Sequence, residues 1–367
     1  MTVVQRLTTI AAVVIVAGAG LLQWRQFGGH IDLPSGDSES MVIHIDEQGQ
    51  VVESTDMETN DKAIHSSVVT EKEIMVADGV KHSVPLDEIK GGGPPQDGIP
   101  SIDDPKFAPI REIDFLNEQE PGLAVSLGGV DRFYPFQILV WHEIVNDVFP
   151  LGPGGTPQRV LVTYCPLCIS GIVFDPVVQG ERVEFGTSGK LWQSNLVMYD
   201  RKTNSLWSQI LGESILGEMT GSQLQVLPSD QIRYGDWKAL HPDGQVLTRD
   251  TGATRFYGQD PDEDYYTDNS AVFFPVSERD DRLENKDFVL GVVVDGKAKA
   301  YYPPAVKAQG EVVDQFAGKT IVARYDSEID AVRLFERLPS GREERINPFP
   351  NFWFSWVAAH PETELYK

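Results

Sequence analysis

Basic residues are scarce in this chain. Against 55 Asp and Glu stand 31 Lys and Arg, a formal charge of −24 over 367 residues. That balance argues against nucleic acid as a partner and against docking on an anionic membrane surface. A calcium loop of alternating Asp and Asn closed by Glu at its twelfth position is also missing. The acidity therefore reads as a solvated surface suited to salty surroundings. Cysteine is scarcer still: Cys165 and Cys168 are the only two. No second ligand pair accompanies them to make a zinc finger. No βαβ unit precedes them, and they do not open a long helix as in a thioredoxin.

One long apolar run is present, Leu7 to Leu22, between Arg6 and the pair Trp24 and Arg25. Its length lies between the core of a signal peptide and the roughly 20 residues that span a bilayer. Ala17-Gly18-Ala19 offers a cleavage site, whereas Trp24 and Arg25 suit an interfacial anchor. We expect an uncleaved transmembrane helix over 1–27. No long basic segment follows it, so the body is expected outside the cytoplasm, in the periplasm or at the cell surface, or secreted if the segment is cleaved. The partners expected are the membrane, through this helix, a protein at the membrane and a small-molecule substrate that the sequence does not name.

Residues 28–98 are rich in Asp, Glu, Ser and Gly and are expected to form an acidic stalk with weak strands. Gly91-Gly-Gly-Pro-Pro-Gln-Asp-Gly98 ends it, since Gly and Pro together continue neither helix nor central strand.

Beyond that point the chain repeats itself. LAVSLGGVDRFYP from Leu123 resembles GVVVDGKAKAYYP from Gly291, each a strand, a Gly-centred turn, a strand and a Tyr-Pro stop, at offset 168. At that offset His142 lies over Gly310. Later segments match at offset 161, which puts Cys165 over Asp326 and Cys168 over Ile329. Trp237 to Pro242 and Trp356 to Pro361 close the two copies as short helices stopped by Pro. The expected fold is α+β, mostly β: a duplicated antiparallel hairpin module with short helices. Residues 99–250 form a first copy, 251–284 a linker and 285–367 a second, degenerate copy.

Positions shared by both copies are structural, which assigns His241 and His360 to the fold. Positions found in one copy are candidates for function: His142, Cys165 and Cys168. If 142–149 and 158–165 pair so that opposed residue numbers sum to 307, His142 faces Cys165 at about 4.5–5.5 Å between Cβ atoms. Three readings follow. A C-x-x-C turn with a cross-strand His suits a soft metal, copper or zinc, with a vacant coordination position. In an oxidising compartment the same pair suits thiol-disulfide chemistry. An inert pair would leave a non-catalytic binding or scaffolding module. Glu143 and Asp200 are the candidate acid-base groups, and Asn195, Ser208 and Gln209 are expected to line the approach to the site.

Several segments resemble one family: Gly98 to Pro105, Trp141 to Asp147, Val162 to Cys168, Phe185-Gly-Thr-Ser-Gly189, Met198-Tyr-Asp200, Leu206 to Gln209 and His241-Pro242. They are similar to the uncharacterised family catalogued as domain of unknown function 3179, over about 98–367. The resemblance implies a boundary and a motif list and no mechanism. It also implies a small residue, often Gly, after the second cysteine; Ile169 stands there instead and is expected to narrow access to the sulfurs.

Overall fold

Short strands bounded by Gly and Pro turns pair mainly with their neighbours in sequence. In the computed structural model, which describes residues 41–45, 51–52, 73–150 and 155–367, the outcome is a mostly β protein with antiparallel sheets. The expected helix over 1–27 lies outside the described residues. Among the described residues no helix is long and apolar enough to cross a membrane.

Strands Pro121–Leu127 and Val130–Pro135 form a hairpin followed by the short helix Phe136–Leu139. A meander follows: Ile144–Phe149 pairs with Gln158–Cys165, which pairs with Ser170–Asp175, which pairs with Gln225–Val226. Asp230–Arg233 then returns to the first strand of the hairpin. After helix Tyr234–Leu240, strand Gln245–Leu247 closes the sheet in parallel to the second. The same succession recurs in the second half. Hairpin Phe288–Val294 and Lys297–Tyr301 leads through helix Pro303–Gln309 into the meander Glu311–Phe316, Lys319–Asp326, Ala331–Arg337 and Glu343–Ile346. Phe349–Phe352 returns to the hairpin, and after helix Trp353–Ala359 strand Glu364–Tyr366 closes in parallel.

The two halves superpose in sequence at an offset one residue shorter than the expected 168. The hairpin turns end at Leu127↔Val130 and at Val294↔Lys297, and a buried ion pair repeats at offset 167. Arg132 Nη1 contacts both Asp147 carboxylate oxygens, at 2.7 and 2.6 Å, and Tyr134 O–H donates to the same carboxylate. Lys299 Nζ lies 2.6 Å from Asp314, which also accepts from Tyr301 O–H at 2.9 Å. In both halves this trio staples the hairpin to the first meander strand. A buried charge with its partner removed costs several kcal/mol, so the staple depends on every member. His241 and His360 close their helices as expected: each backbone N–H bonds the Trp carbonyl four residues back, and each ring lies against that Trp.

The first half alone carries an insertion between Ser170–Asp175 and Gln225–Val226. Its strands Phe185–Trp192, Asn195–Asp200, Leu206–Ser208 and Glu213–Leu216 form a sheet with Glu73–Ala77, Val80–His82 and Ile89–Gly91. Residues 73–91, expected in a stalk, are thus sheet strands, because the insertion offers backbone edges that they complete. The meander packs on this sheet through Leu161, Cys165 and Ile172 against Leu196, Met198 and Trp207. Its other face meets the hairpin through Val160, Val162 and Tyr164. Both faces being buried, the strand Gln158–Cys165 reads as an apolar run.

The Gly91–Gly98 loop is held against a bulge in Phe185–Trp192. Gly92 N–H donates to Gly189 O at 2.8 Å and Asp97 N–H to Thr187 O at 2.9 Å. Gly189 has φ +69°, and a Cβ on it would lie 1.9 Å from the Pro94 carbonyl oxygen. Gly189→Ala is therefore expected to lower unfolding stability by about 2–3 kcal/mol, read by chemical denaturation; a loss under about 0.5 kcal/mol would refute this account of the loop.

Candidate functional site

The ladder between Ile144–Phe149 and Gln158–Cys165 has the expected register: Phe149↔Gln158 through Ile144↔Thr163, each pair summing to 307. It then departs from expectation. Tyr164 N–H donates to Glu143 O at 2.8 Å, and Glu143 is in the left-handed region with φ +59°. The twist turns His142 away from the sulfurs. His142 Nδ1–H donates to Pro100 O at 2.7 Å, and Nε2 accepts from Tyr257 O–H at 2.6 Å. Both ring nitrogens are thereby used. Burial, more than the neighbouring Arg255, lowers the His142 pKa and keeps the ring neutral. Among the described residues no group of three His, Cys, Asp or Glu side chains is placed to hold a metal ion.

The cysteines sit on a tight turn. Cys165 ends its strand, Pro166 to Cys168 form one turn of 3-10 helix, and Ile169 leaves it at φ +49°. A β-branched residue in that region is strained, which accounts for the small residue that the family resemblance implies there. Ile169 packs on the core. The turn is pinned by Tyr265 O–H donating to Leu167 O at 3.0 Å and by Gln231 Nε2–H donating to Ile169 O at 3.2 Å. Both thiols are free and buried and lie as neighbours on the turn. Cys168 Sγ lies 3.2 Å from Ser194 O and 3.2 Å from Ser355 Oγ. Burial, with the neighbouring Cys168 thiol and Glu143 carboxyl, pushes the Cys165 thiol well above its usual range.

Cys165 is the cysteine that lines a cavity. A space of about 400 Å³ is bounded by the Gly92–Gly98 loop, Trp141, Glu143, Cys165, Leu191 and the segment that carries Arg255, Asp262, Phe273 and Phe274. Burial first, and the Asp262 carboxylate second, push the Glu143 carboxyl up to about 8. Asp262 is itself raised by burial and by Asp260. The site therefore pairs a protonated thiol with a carboxyl that changes charge near neutrality, a combination suited to moving one proton at a sulfur.

Other expected site residues lie elsewhere. Asp200 is fully buried; its carboxylate accepts from the backbone of Lys202, Thr203 and Ser205 and from Trp207 Nε1–H, at 2.6–3.2 Å. It closes a turn and has no face on the cavity. Asn195, Ser208 and Gln209 do not line an approach. Asn195 and Ser208 lie on interior strands of the nine-stranded sheet and Gln209 directly follows one of them, and all three side chains are buried. Gln209 Nε2–H donates to Thr163 Oγ1 and Ser170 O, both at 2.9 Å. Among the described residues Asn195 Nδ2, Ser208 Oγ, Gln209 Oε1, Ser170 Oγ and Ser194 Oγ have no hydrogen-bond partner.

Residues 251–284, expected as a linker, supply one wall of the site. Asp262, Arg255, Tyr257 and Tyr265 all come from it. A signal was present: Asp260-Pro-Asp262-Glu-Asp-Tyr265-Tyr266 is too aromatic for a spacer.

The folded carboxyl of Glu143 holds its proton up to about 8, whereas an unfolded Glu releases it near its ordinary value of about 4.3. The native state thus binds more protons in that window, and stability falls as pH rises through it, by up to about 1.4 kcal/mol per unit. Denaturation at successive pH values is expected to show this slope in the native chain, flattening above about 8. Glu143→Gln should reduce it, leaving the smaller part from Asp262; equal slopes would disprove the assignment.

The family model for a protein of unknown function (DUF3179) matches residues 96–347. No curated protein and no solved structure matches the chain.

Proposed function

The chain belongs to the DUF3179 family, whose description carries no reaction, and from its site we propose a thiol-disulfide redox protein in which Cys165 and Cys168 cycle between dithiol and disulfide. The observation that carries this reading is the pair of neighbouring free cysteines on one tight turn, with Cys165 lining the cavity. Access sets the order of events. Cys165 attacks a substrate disulfide, forming a mixed disulfide and expelling one thiol, which leaves with the Cys165 proton. Cys168, enclosed by Ser194 and Ser355, then attacks Cys165, and the second thiol leaves with the Cys168 proton. The substrate is reduced to two thiols and the pair is oxidised; the reverse sequence oxidises a substrate dithiol.

The apolar stretch Leu7 to Leu22 supports an anchored body outside the cytoplasm, where disulfide exchange is in demand. The matching order of the two halves supports an ancestral duplication, with the redox pair acquired by the first copy.

Copper or zinc on the same sulfurs is the rival reading. It requires His142 to abandon both its hydrogen bonds, and it requires the buried Cys165 thiol, held well above its usual range, to ionise. One experiment separates the two. Protein purified under reducing conditions is expected to be metal-free, to titrate two thiols, and to form one intramolecular disulfide with a glutathione buffer. Cys168→Ser should trap a mixed disulfide on Cys165, while Cys165→Ser should trap none. Stoichiometric copper or zinc lost in both variants would overturn the redox reading.

A further inference from the structure

We propose that Glu143 is the acid-base group of the thiol site, installed at a backbone position that the fold reserves for glycine. The inference rests on the dithiol reading of Cys165 and Cys168.

The corrected offset of 167 places Gly310, not opposite His142, but opposite Glu143. The equivalence is geometric as well as sequential. Gly310 has φ +77° where Glu143 has φ +59°. Gly310 O accepts from Tyr325 N–H at 2.8 Å, just as Glu143 O accepts from Tyr164 N–H at 2.8 Å. Each residue leads from a short helix into the first meander strand. That junction needs a residue with positive φ, and glycine meets the need without steric penalty. A Glu there is unfavourable, since only Gly, Asn and Asp visit the region readily.

Nothing structural offsets the strain. The Glu143 carboxyl makes no hydrogen bond or ion pair to a protein group among the described residues, and Glu143 lines the same cavity as Cys165, whose thiol its charge reaches. The groups around it are Cys165 from the adjoining strand, Asp262 and Arg255 from the wall segment, the neighbouring His142, and Asp260 next to Asp262. Strained residues that hold nothing together cluster at sites of chemistry.

Within the exchange, the Glu143 carboxylate takes the proton from the Cys165 S–H bond as that sulfur attacks the substrate disulfide. The S–S bond breaks, the departing sulfur keeps the electron pair, and the Glu143 carboxyl returns the proton to it. Glu143 ends as it began, and no other reactant enters.

The test uses the full chain, reduced, with dithiodipyridine as an uncharged aromatic disulfide. Glu143→Gln keeps the strain and removes the acid-base function; exchange at pH 8 should slow by about a hundredfold. Glu143→Gly should lose exchange to the same extent and yet unfold at a higher temperature than Glu143→Gln. Native-like exchange in the Gln variant, or a Gly variant that unfolds below it, overturns the proposal. A native chain that exchanges under no condition would sink the dithiol reading instead. In that case thiolate absorbance still decides on Glu143: Glu143→Gln must bring the thiolate out at lower pH, and an unmoved titration rejects the pairing.

Discussion

The ladder between Ile144–Phe149 and Gln158–Cys165 is the constraint on which the site depends. Its register is set by burial on both faces: a slip of one residue would send Val160, Val162 and Tyr164 into the layer made for Leu161 and Cys165. Once that register holds, the bond from Tyr164 N–H to Glu143 O fixes where the strand begins, and the left-handed turn at Glu143 follows. This turn exchanges the roles of two adjacent residues. His142 goes inward to Pro100 and Tyr257 as a neutral structural ring, and Glu143 goes to the cavity beside Cys165.

Around that ladder the molecule separates what both halves share from what one half adds. The buried trio of cation, Asp and Tyr and the Trp-His helix ends are common property, and they hold hairpin to meander twice over. The insertion, the Gly91–Gly98 loop and the 255–274 segment belong to the first half's surroundings and enclose the thiol turn from three sides. The enclosure raises the Cys165 thiol and the Glu143 carboxyl together. At rest the Cys165 thiol is protonated, while the Glu143 carboxyl changes charge near pH 8 and so can stand ready as the base.

Much of this was legible in the sequence. Strand alternation with Gly turns announced the hairpins, and the match between LAVSLGGVDRFYP and GVVVDGKAKAYYP announced two similar runs of strands. The register sum of 307 followed from the length of the Pro150–Pro157 loop. The motif Cys165-Pro-Leu-Cys168 named the sulfurs. Sequence comparison, however, could not resolve a single-residue offset, because Tyr134 aligns equally well with Tyr301 and Tyr302. That one residue decided whether His142 or Glu143 stood opposite Gly310. Asn195, Ser208 and Gln209 read as cleft residues because polar and aromatic residues alternate there, and alternation alone does not say whether a second sheet covers the polar face.

By itself, then, the sequence determined the strands, their turns, the pairing of the ladder and the presence of one thiol pair, since all of these depend on residues near in the chain. Tertiary structure decided which side chains meet those thiols. Asp262 and Arg255 reach the cavity from about a hundred residues away, and the sign of one backbone dihedral at Glu143 chose the carboxyl over the imidazole. Such choices are made by packing between distant segments, where a twist at one residue redirects the side chain and no local pattern records it.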